Sequence, residues 1–479
     1  MIHPKFLKLI LPFILPHITH IFNTALMTST FPDTWKHAKV VPIPKTSSDF
    51  RPISILPFLS KALESIIYDQ INKHLTDNSL LSNKQSGFRS SRSCITALVD
   101  ISEDIRRNMD QNKITFLLLL DHTKAFDSID HPIEINKLRS SFGFSTSAAD
   151  LINSYLSQRS QIVCHNNKFS KPLYLNKGVP QGSILGPILF SCYINDLPTQ
   201  LENCNCHLYA DDVQIYKSCD TSEIASCVNE LNHNLRKISA WAASNKLKLN
   251  PSKSQCIIIS KHTVDYSLFP VLKLNGDDLN YVETAKNLGI TFDQKLSWNN
   301  HICKTIGKVY GMLRALWVTQ HLTPIPVRIL LVKTYLLPTL CYGSELFAGC
   351  DALHMKKLNT LYNSITRYVY GLNRGDGTSQ YSVQILGVSF ENFLKMKCIR
   401  FLYKIIKTKE PSYLYDILVF SRSLRNNNLN TLTYNSLISE RQFLVYTLRL
   451  WNSLPVELQR VENAHQFKKL LYNHFRRAP

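Results

Sequence analysis

The sequence predicts an α+β fold, because short runs of β-forming residues are interspersed with longer stretches of helical periodicity. Ile114 to Leu120 is an apolar run with the length of a buried strand, and it ends on Asp121. From His207 to Tyr216, β-formers flank Asp211 and Asp212 on both sides, which predicts a hairpin with two carboxylates at its bend. A chain of 479 residues with 44% hydrophobic side chains can form two or three domains.

The remaining elements are predicted mainly from helical periodicity and turn residues. Ser60 is predicted to cap a helix that carries Leu63, Ile66, Ile67 and Ile71. The other predicted elements are a helix at 95–109, an apolar helix through Leu189, Phe190 and Tyr193 after the glycine-rich turn at 178–187, a strand at 255–259, one arm of a hairpin at 286–293, helices at 302–316, 327–336 and 355–370, an exposed linker at 421–428 and a basic helical segment at 441–477.

The charge balance favours a polyanionic partner. Lys and Arg outnumber Asp and Glu by 55 to 35, which gives a net charge of +20 and a surface potential that concentrates polyanions. Nucleic acid is therefore the first partner to test, although charge alone is equally compatible with a merely basic soluble protein.

The twelve cysteines contain no CxxC pair and no matching histidine spacing, so the sequence predicts neither a disulfide framework nor a zinc site. They are typical of a reducing compartment, which we expect to be the nucleus, the cytoplasm or both. The apolar stretch from Phe6 to Phe22 is interrupted by Pro12 and Pro16. We therefore expect a packed helix broken by proline and no stable membrane association.

Three carboxylates, one at a strand end and two in a hairpin bend, suit a site for two magnesium ions, because Mg²⁺ prefers hard oxygen ligands and retains waters for substrate phosphates. The residues in question are Asp121, Asp211 and Asp212. An Asp-Asp pair by itself is more often ordinary turn chemistry.

Seven short motifs decide between these interpretations. In chain order they are Arg51-Pro-Ile-Ser54, Gln85-Ser-Gly-Phe-Arg89, Leu120-Asp-His-Thr-Lys-Ala-Phe-Asp127, Gly178-Val-Pro-Gln-Gly182, Tyr209-Ala-Asp-Asp212, Leu249-Asn-Pro-Ser-Lys253 and Asn287-Leu-Gly289. Their order resembles that of non-LTR retrotransposon (LINE-type) reverse transcriptases over residues 20 to 375. The tail motif Leu450-Trp-Asn-Ser-Leu-Pro455 is similar to the end of jockey-like elements.

The resemblance implies a right-hand polymerase with fingers, palm and helical thumb. The implied domains are fingers with an N-terminal extension at 1–113, a palm with part of the fingers at 114–298, a thumb at 299–372 and a C-terminal basic helical region at 373–479. Asp121, Asp211 and Asp212 would hold two Mg²⁺ ions, with Mn²⁺ as a possible substitute. Tyr209 belongs to the same motif.

The resemblance also implies roles in binding the incoming nucleotide. Phe126 would exclude a ribose 2′-hydroxyl, although a core phenylalanine is the alternative. Gln181 and Gly182 would contact the nucleotide, and glycine permits close backbone approach. Arg51 and Lys61 would bind its triphosphate. Lys253 would protonate the departing pyrophosphate, or is a solvated surface lysine.

Arg89 could assist at the triphosphate or form a structural ion pair, and Asp127 and Asp130 are expected to support the loop rather than bind metal. His122, Thr123 and Asn287 depart from the residues usual at their positions, but none of these changes removes a metal ligand. An upstream endonuclease, expected in an autonomous element, is not present in this sequence. We therefore expect a truncated copy, a separate reading frame or a domesticated remnant.

The function expected from the resemblance is RNA-directed DNA polymerase, with an RNA template, a DNA primer or target, and deoxynucleotides as partners. The alternative is a catalytically inactive remnant that binds nucleic acid. A third possibility is an RNA-dependent RNA polymerase, since such enzymes also carry paired carboxylates, but Phe126 argues against it.

Overall fold

The computed structural model describes residues 4–45, 49–166, 168–263, 265, 269–420, 429–430 and 442–477. The elements of the first half are α1 (Pro4–Met27), β1 (His37–Pro44), β2 (Phe50–Ile55), α2 (Phe58–Asp77), α3 (Cys94–Asp110), β3 (Ile114–Leu120), α4 (Ala125–Ser128), α5 (His131–Ser140), α6 (Thr146–Leu156), β4 (Arg159–His165), β5 (Lys168–Phe169), β6 (Leu173–Leu175), α7 (Leu185–Tyr193), β7 (Asn205–Tyr209), β8 (Asp212–Cys219) and α8 (Ile224–Ser244).

The second half begins with strands and continues as helices. Its elements are β9 (Gln255–Ile259), β10 (Lys273–Leu274), β11 (Asp277–Asp278), β12 (Asn280–Val282), β13 (Thr284–Asn287), β14 (Ile290–Asp293), α9 (Asn299–Trp317), α10 (Ile325–Leu331), α11 (Leu337–Leu340), α12 (Ser344–Phe347), α13 (Ala352–Tyr370), α14 (Ser379–Leu386), α15 (Phe390–Thr408), α16 (Ser412–Tyr415), α17 (Phe443–Asn452), α18 (Val456–Gln459) and α19 (Ala464–Arg477). A π-helical segment, Val332–Leu336, joins α10 to α11.

The central sheet has the strand order β12-β9-β3-β8-β7. β3 lies in the middle and pairs antiparallel with both β8 and β9. Its side chains alternate between two hydrophobic clusters, because successive residues of a strand point to opposite faces. Phe116 and Leu118 belong to one cluster and Leu117 to the other. Apart from Thr115, whose hydroxyl lies 2.8 Å from the Ser218 hydroxyl, β3 is apolar because both of its faces are covered, as its sequence predicts.

A second sheet is formed by β2, β1, β4, β5 and β6. β1 pairs antiparallel with β2 from Lys39 to Pro44, and it pairs with β4 only from His37 to Val40. Pro42 and Pro44 lie beyond that stretch. Their missing N–H groups therefore remove no hydrogen bond between β1 and β4.

The C-terminal helices share one core with α9, in the predicted thumb, and with one face of the central sheet. Trp451 of α17 and Phe467 of α19 belong to the same buried cluster as Leu117 of β3 and Val309 of α9. Glu103 of α3 is fully buried beside the start of α17, where its Oε1 accepts a 3.4 Å hydrogen bond from the Leu444 N–H. The C-terminal region therefore packs against α3 and belongs to the core that covers one face of the sheet that carries the carboxylates.

Several predictions about local structure were wrong. α1 is not broken, although Pro12 and Pro16 lie inside it. Most of α1 is exposed, so water can hydrate the carbonyls that proline leaves without a donor. Ser60 is not a cap: α2 begins two residues earlier, and the buried Ser60 hydroxyl donates to Glu64. The 286–293 segment is not one arm of a hairpin. It contains the end of β13, the turn and the whole of β14, and these two strands pair with each other.

The other predicted helices and strands are present within a few residues of the predicted bounds. The linker predicted at 421–428 lies outside the described residues. Among the described residues, one stretch, Leu9–Met27, is long and apolar enough to cross a membrane, a test that core helices and signal sequences also pass. This stretch is not packed as predicted, since Phe13 is 81% exposed.

We predict that Glu103→Gln removes part of the pH dependence of stability. Burial raises the pKa of Glu103 to about 7, so the folded state binds a proton that the unfolded state releases near its ordinary value. The wild-type free energy of unfolding should then fall as pH rises from 4.5 to 7, by up to about 3 kcal/mol. Unfolding measured at pH 5 and pH 8 should show the variant gaining stability relative to wild type at pH 8. An equal difference at both pH values would contradict this.

Candidate active site

The register of the central sheet brings the three carboxylates together. Leu120, the last residue of β3, pairs with Val213 of β8. Asp121 directly follows Leu120 in the chain. It therefore lies at the same sheet end as Asp212, the first residue of β8. Asp211 occupies the turn between β7 and β8 and precedes Asp212 directly.

The backbone of Asp121 is fixed by the segment that precedes β9. The Asp121 N–H donates a 3.1 Å hydrogen bond to the Ser254 hydroxyl, and the Asp121 carbonyl accepts a 2.8 Å bond from the Asn250 N–H. Thr123 N–H donates to the Lys248 carbonyl. The 249–253 motif therefore acts first as a structural partner of the strand end.

The turn that carries Asp211 is held by residues 82–89, which we call the support segment. Ala210 has a φ of +53°, and its N–H donates a 3.1 Å hydrogen bond to Gln85 Oε1. Gly87 packs so closely that an added Cβ would lie 2.3 Å from the Ala210 nitrogen. From the other side, buried His122 donates from Nδ1 to the Asp211 carbonyl at 3.1 Å.

The carboxylates interact unfavourably in the absence of a cation. Partial desolvation raises the pKa of Asp212 to about 6, the charges of Asp211 and Asp121 add to the shift, and Lys45 opposes it. Asp212 is exposed as a residue, so water screens part of this repulsion. Among the described residues, no three Asp, Glu, His or Cys side chains already converge on one ion position. The donor set nevertheless fits Mg²⁺ chemically, because it offers only hard oxygens with a shared excess of negative charge.

Phe126 lies in α4, five residues beyond Asp121, and is only partly buried. Its ring stacks on Phe190 with centroids 4.5 Å apart and meets Phe88 edge-on at 6.2 Å. Phe126 thus has a fixed orientation, as a core phenylalanine would have. It also retains an accessible portion, which contact with a nucleotide would require.

The glycine-rich loop before α7 is fixed to both the fingers and α4. The Gln181 carbonyl accepts from the Ser54 N–H at 2.7 Å, and Gln181 Nε2 donates to Asp127 Oδ1 at 2.9 Å. Gly182 has a φ of +115°, and an added Cβ would lie 2.7 Å from the Ser54 carbonyl. Only glycine therefore permits this approach of the loop to β2.

Comparison with known proteins decides the family. The family model described as reverse transcriptase (RNA-dependent DNA polymerase) matches residues 43–292, more than half of the chain. The chain belongs to the reverse transcriptase family. The central sheet is accordingly the palm of a right-hand polymerase fold, and the matched region includes all three carboxylates.

Relatives of this reverse transcriptase come from non-LTR elements, which confirms the resemblance seen in the motifs. The probable RNA-directed DNA polymerase from transposon BS of Drosophila melanogaster is 27% identical over 373 residues, 74% of this chain and 40% of that protein. The RNA-directed DNA polymerase from the mobile element jockey of the same species is 26% identical over 368 residues, 73% and 39% of the two chains. The chain therefore spans about two fifths of the length of these curated relatives.

Solved structures of telomerase also overlap with this reverse transcriptase. Apo telomerase from Candida tropicalis superimposes with a TM-score of 0.43 at 10% identity, over 84% of this chain and 72% of that chain. Telomerase from Candida albicans gives 0.36 at 13% identity, over 83% and 68%. These values are too low to add to the description of the site.

Three predicted nucleotide-binding residues of the reverse transcriptase have no side-chain contact with the carboxylates. Arg51 is exposed on β2, Lys61 lies in the first turns of α2, and Lys253 is exposed in the turn before β9. Their roles stay predictions. Arg89 donates to the backbone carbonyls of Ser82 and Gln85, which is a structural contact within the support segment.

Tyr209, the other predicted residue of the motif, ends β7 and pairs with Asp212 in the ladder. Desolvation raises the pKa of its hydroxyl to about 12, and Cys94 contributes to the shift. Tyr209 therefore remains protonated at neutral pH. The structure places its backbone, rather than an ionised oxygen, next to the carboxylates.

Sequence reasoning missed residues that act on the site from outside the motifs. Lys45, between β1 and β2, is the cation whose charge lowers the pKa of Asp212 and so opposes the effect of burial. Glu64 is fully buried, and its Oε2 accepts from the Ile184 N–H at 2.8 Å, at the start of α7. An acidic residue beside Leu63 on the buried face of α2 was the available signal for Glu64. No comparable pattern singled out Lys45.

We predict that Gly87→Ala lowers polymerase activity by about 100-fold, because the added methyl group would push the Ala210 backbone, and with it Asp211, out of place. Primer extension on an RNA template measures the effect. Gly311→Ala in α9 is the matched control, since nothing lies within 4 Å of an added Cβ there. Equal activities of the two variants would contradict this account of the support segment.

Proposed function

We propose that this chain is an RNA-directed DNA polymerase of the non-LTR retrotransposon type. The observation that carries the proposal is the sheet register that places Asp121 beside the Asp211-Asp212 turn. These carboxylates would hold two Mg²⁺ ions, with Mn²⁺ as a substitute. When bound, such ions activate the attacking 3′-hydroxyl and neutralise charge on the transferring phosphoryl group.

The chain's own residues would position the reactants. Asp121 and Asp212 lie at the ends of two paired strands whose backbones are fixed by hydrogen bonds, so only the carboxylate side chains would have to turn toward the ions. The charge of Lys45 lowers the pKa of Asp212, so we propose that this cation, in the segment between β1 and β2, helps to bind the incoming triphosphate. Arg51 and Lys61 are proposed to bind the same triphosphate.

Selection of deoxynucleotides is assigned to Phe126. Its ring is stacked on Phe190 and cannot retreat without losing that contact. A ribose 2′-hydroxyl placed against the ring would collide with it and lose its hydrogen bonds with water. This supports DNA rather than RNA as the product.

A basic cleft between the β13–β14 hairpin and α9 supports nucleic-acid binding. Lys286, Lys304 and Lys308 line this cleft of about 770 Å³ together with several threonines. The hairpin is fixed to β8, because Asn287 Nδ2 donates to Gln214 Oε1 at 3.2 Å. We propose that the cleft contacts phosphates of the primer and RNA template, which would make binding strongly salt-dependent.

Primer extension with magnesium and deoxynucleotides on an RNA template tests the function. Asp211→Asn should lower the rate by at least about 100-fold, because loss of an ionised ligand removes several kcal/mol of transition-state stabilisation. Asp277→Asn, an exposed residue on β11, is the matched control and should be unaffected. If the wild type binds primer and template but extends no better than Asp211→Asn, the chain is a binding remnant and the proposal fails.

The role of Phe126 has a separate test. Phe126→Val should raise the ratio of ribonucleotide to deoxynucleotide incorporation by about tenfold or more, because the smaller side chain leaves room for the 2′-hydroxyl. The ratio measured on one enzyme preparation controls for loss of overall activity. A wild type that already uses both nucleotides equally would favour an RNA polymerase instead.

A further inference from the structure

The C-terminal region contacts the support segment beneath the catalytic turn. Tyr413 of α16 lies outside the matched reverse transcriptase region, which ends at residue 292. Its hydroxyl is 2.9 Å from the Ser86 hydroxyl and 3.1 Å from Thr96 Oγ1. Its ring meets His207 of β7 edge-on, with centroids 5.2 Å apart.

These groups form a continuous polar chain. Ser86 Oγ lies 2.8 Å from His207 Nε2, and His207 Nδ1 lies 3.3 Å from Asp100 Oδ2. The Tyr413 hydroxyl donates to Thr96 Oγ1, and the Thr96 hydroxyl donates to the Ser93 carbonyl. The Ser86 hydroxyl therefore donates to the Tyr413 oxygen and accepts from His207 Nε2, so every hydroxyl in the chain has a partner. Because His207 and Ser86 are both buried, loss of one partner leaves a costly unpaired group.

The same segment holds the turn that carries the carboxylates. Ser86 N–H donates to the Leu208 carbonyl at 2.9 Å, and Leu208 N–H donates to the Lys84 carbonyl at 2.8 Å. Gln85 Oε1 accepts from both Gly87 and Ala210. Residues 84–87 are therefore hydrogen-bonded along β7 up to the residue before Asp211.

Further contacts tie Tyr413 to this segment. The Arg92 guanidinium lies over the Tyr413 ring, 5.3 Å from its centroid, and donates to the Asn83 carbonyl at 2.6 Å and the Gln85 carbonyl at 3.1 Å. Glu410, just before α16, pairs with Arg92 at 3.9 Å. One short part of the C-terminal region thus contacts the support segment directly through the Tyr413 hydroxyl, and indirectly through Arg92, which the Tyr413 ring and Glu410 both contact.

We propose that Tyr413 is a positioning residue for the catalytic turn, and that the C-terminal region sets the geometry of the polymerase site through the support segment. The inference rests on the proposed function for its kinetic consequence, but the structural link can be measured without activity. Tyr413 touches neither substrate nor carboxylate. It acts through Ser86, Gln85 and Ala210.

Hydrogen exchange and kinetics of full-length Tyr413→Phe test the inference. Loss of the hydroxyl should speed amide exchange in peptides covering 82–89 and 205–213 severalfold. It should also lower kcat by about tenfold with little change in the KM for deoxynucleotide, because the turn is loosened while the nucleotide contacts remain. Ser86→Ala should do the same, and the double variant should be no slower than either single variant.

Tyr403→Phe is the matched control. The Tyr403 hydroxyl, like that of Tyr413, has two hydrogen-bond partners, but these are the Val461 and Glu462 carbonyls of the C-terminal region itself. It should leave exchange at 205–213 and kcat unchanged. Unchanged exchange in Tyr413→Phe, or the same change in both variants, would overturn the inference. If wild type were no more active than Asp211→Asn, the proposed function would fail, while exchange would still decide the link.

Discussion

The structure depends on holding three like charges together at one end of a sheet. Neighbouring carboxylates repel one another: burial raises the pKa of Asp212 first, and the charges of Asp211 and Asp121 raise it further. Their proximity must therefore be imposed by the backbone. The register of β3, β8 and β7 does this, and backbone partners at Asp121 and Ala210 fix the ends of the strands where the register alone leaves freedom.

The rest of the fold holds these strands in register. Two hydrophobic clusters cover the opposite faces of the palm sheet, so β3 cannot slip by one residue without turning its whole apolar set around. The fingers reach the site through Ser54 and the loop at Gln181 and Gly182. The thumb and C-terminal helices complete the second cluster, which makes them part of the palm's core rather than an appended domain.

Much of the local structure was predictable. β3 and β9 have the predicted bounds, because a short and mostly apolar segment of five to seven residues has few other solutions. α1 was predicted poorly, since the helix continues through Pro12 and Pro16, where water can hydrate the carbonyls that lose their donors. Ser60 was misassigned because a serine near a helix start looks the same whether it caps the helix or lies inside it. The contact between α16 and residues 84–87 joins segments more than 300 residues apart in the sequence, and no local sequence pattern predicts such a contact.

The sequence by itself determined the chemistry available: the order of seven motifs, three acids, an aromatic residue five positions after the first acid, and an excess of positive charge. These depend on residue type and spacing, which a sequence states directly. Only the tertiary structure decided which groups hold the acids in place. Gln85, His122, Ser254, Glu64 and Tyr413 each act through a hydrogen bond to a distant segment, and such a bond exists only after the chain has folded and buried its polar groups against one another.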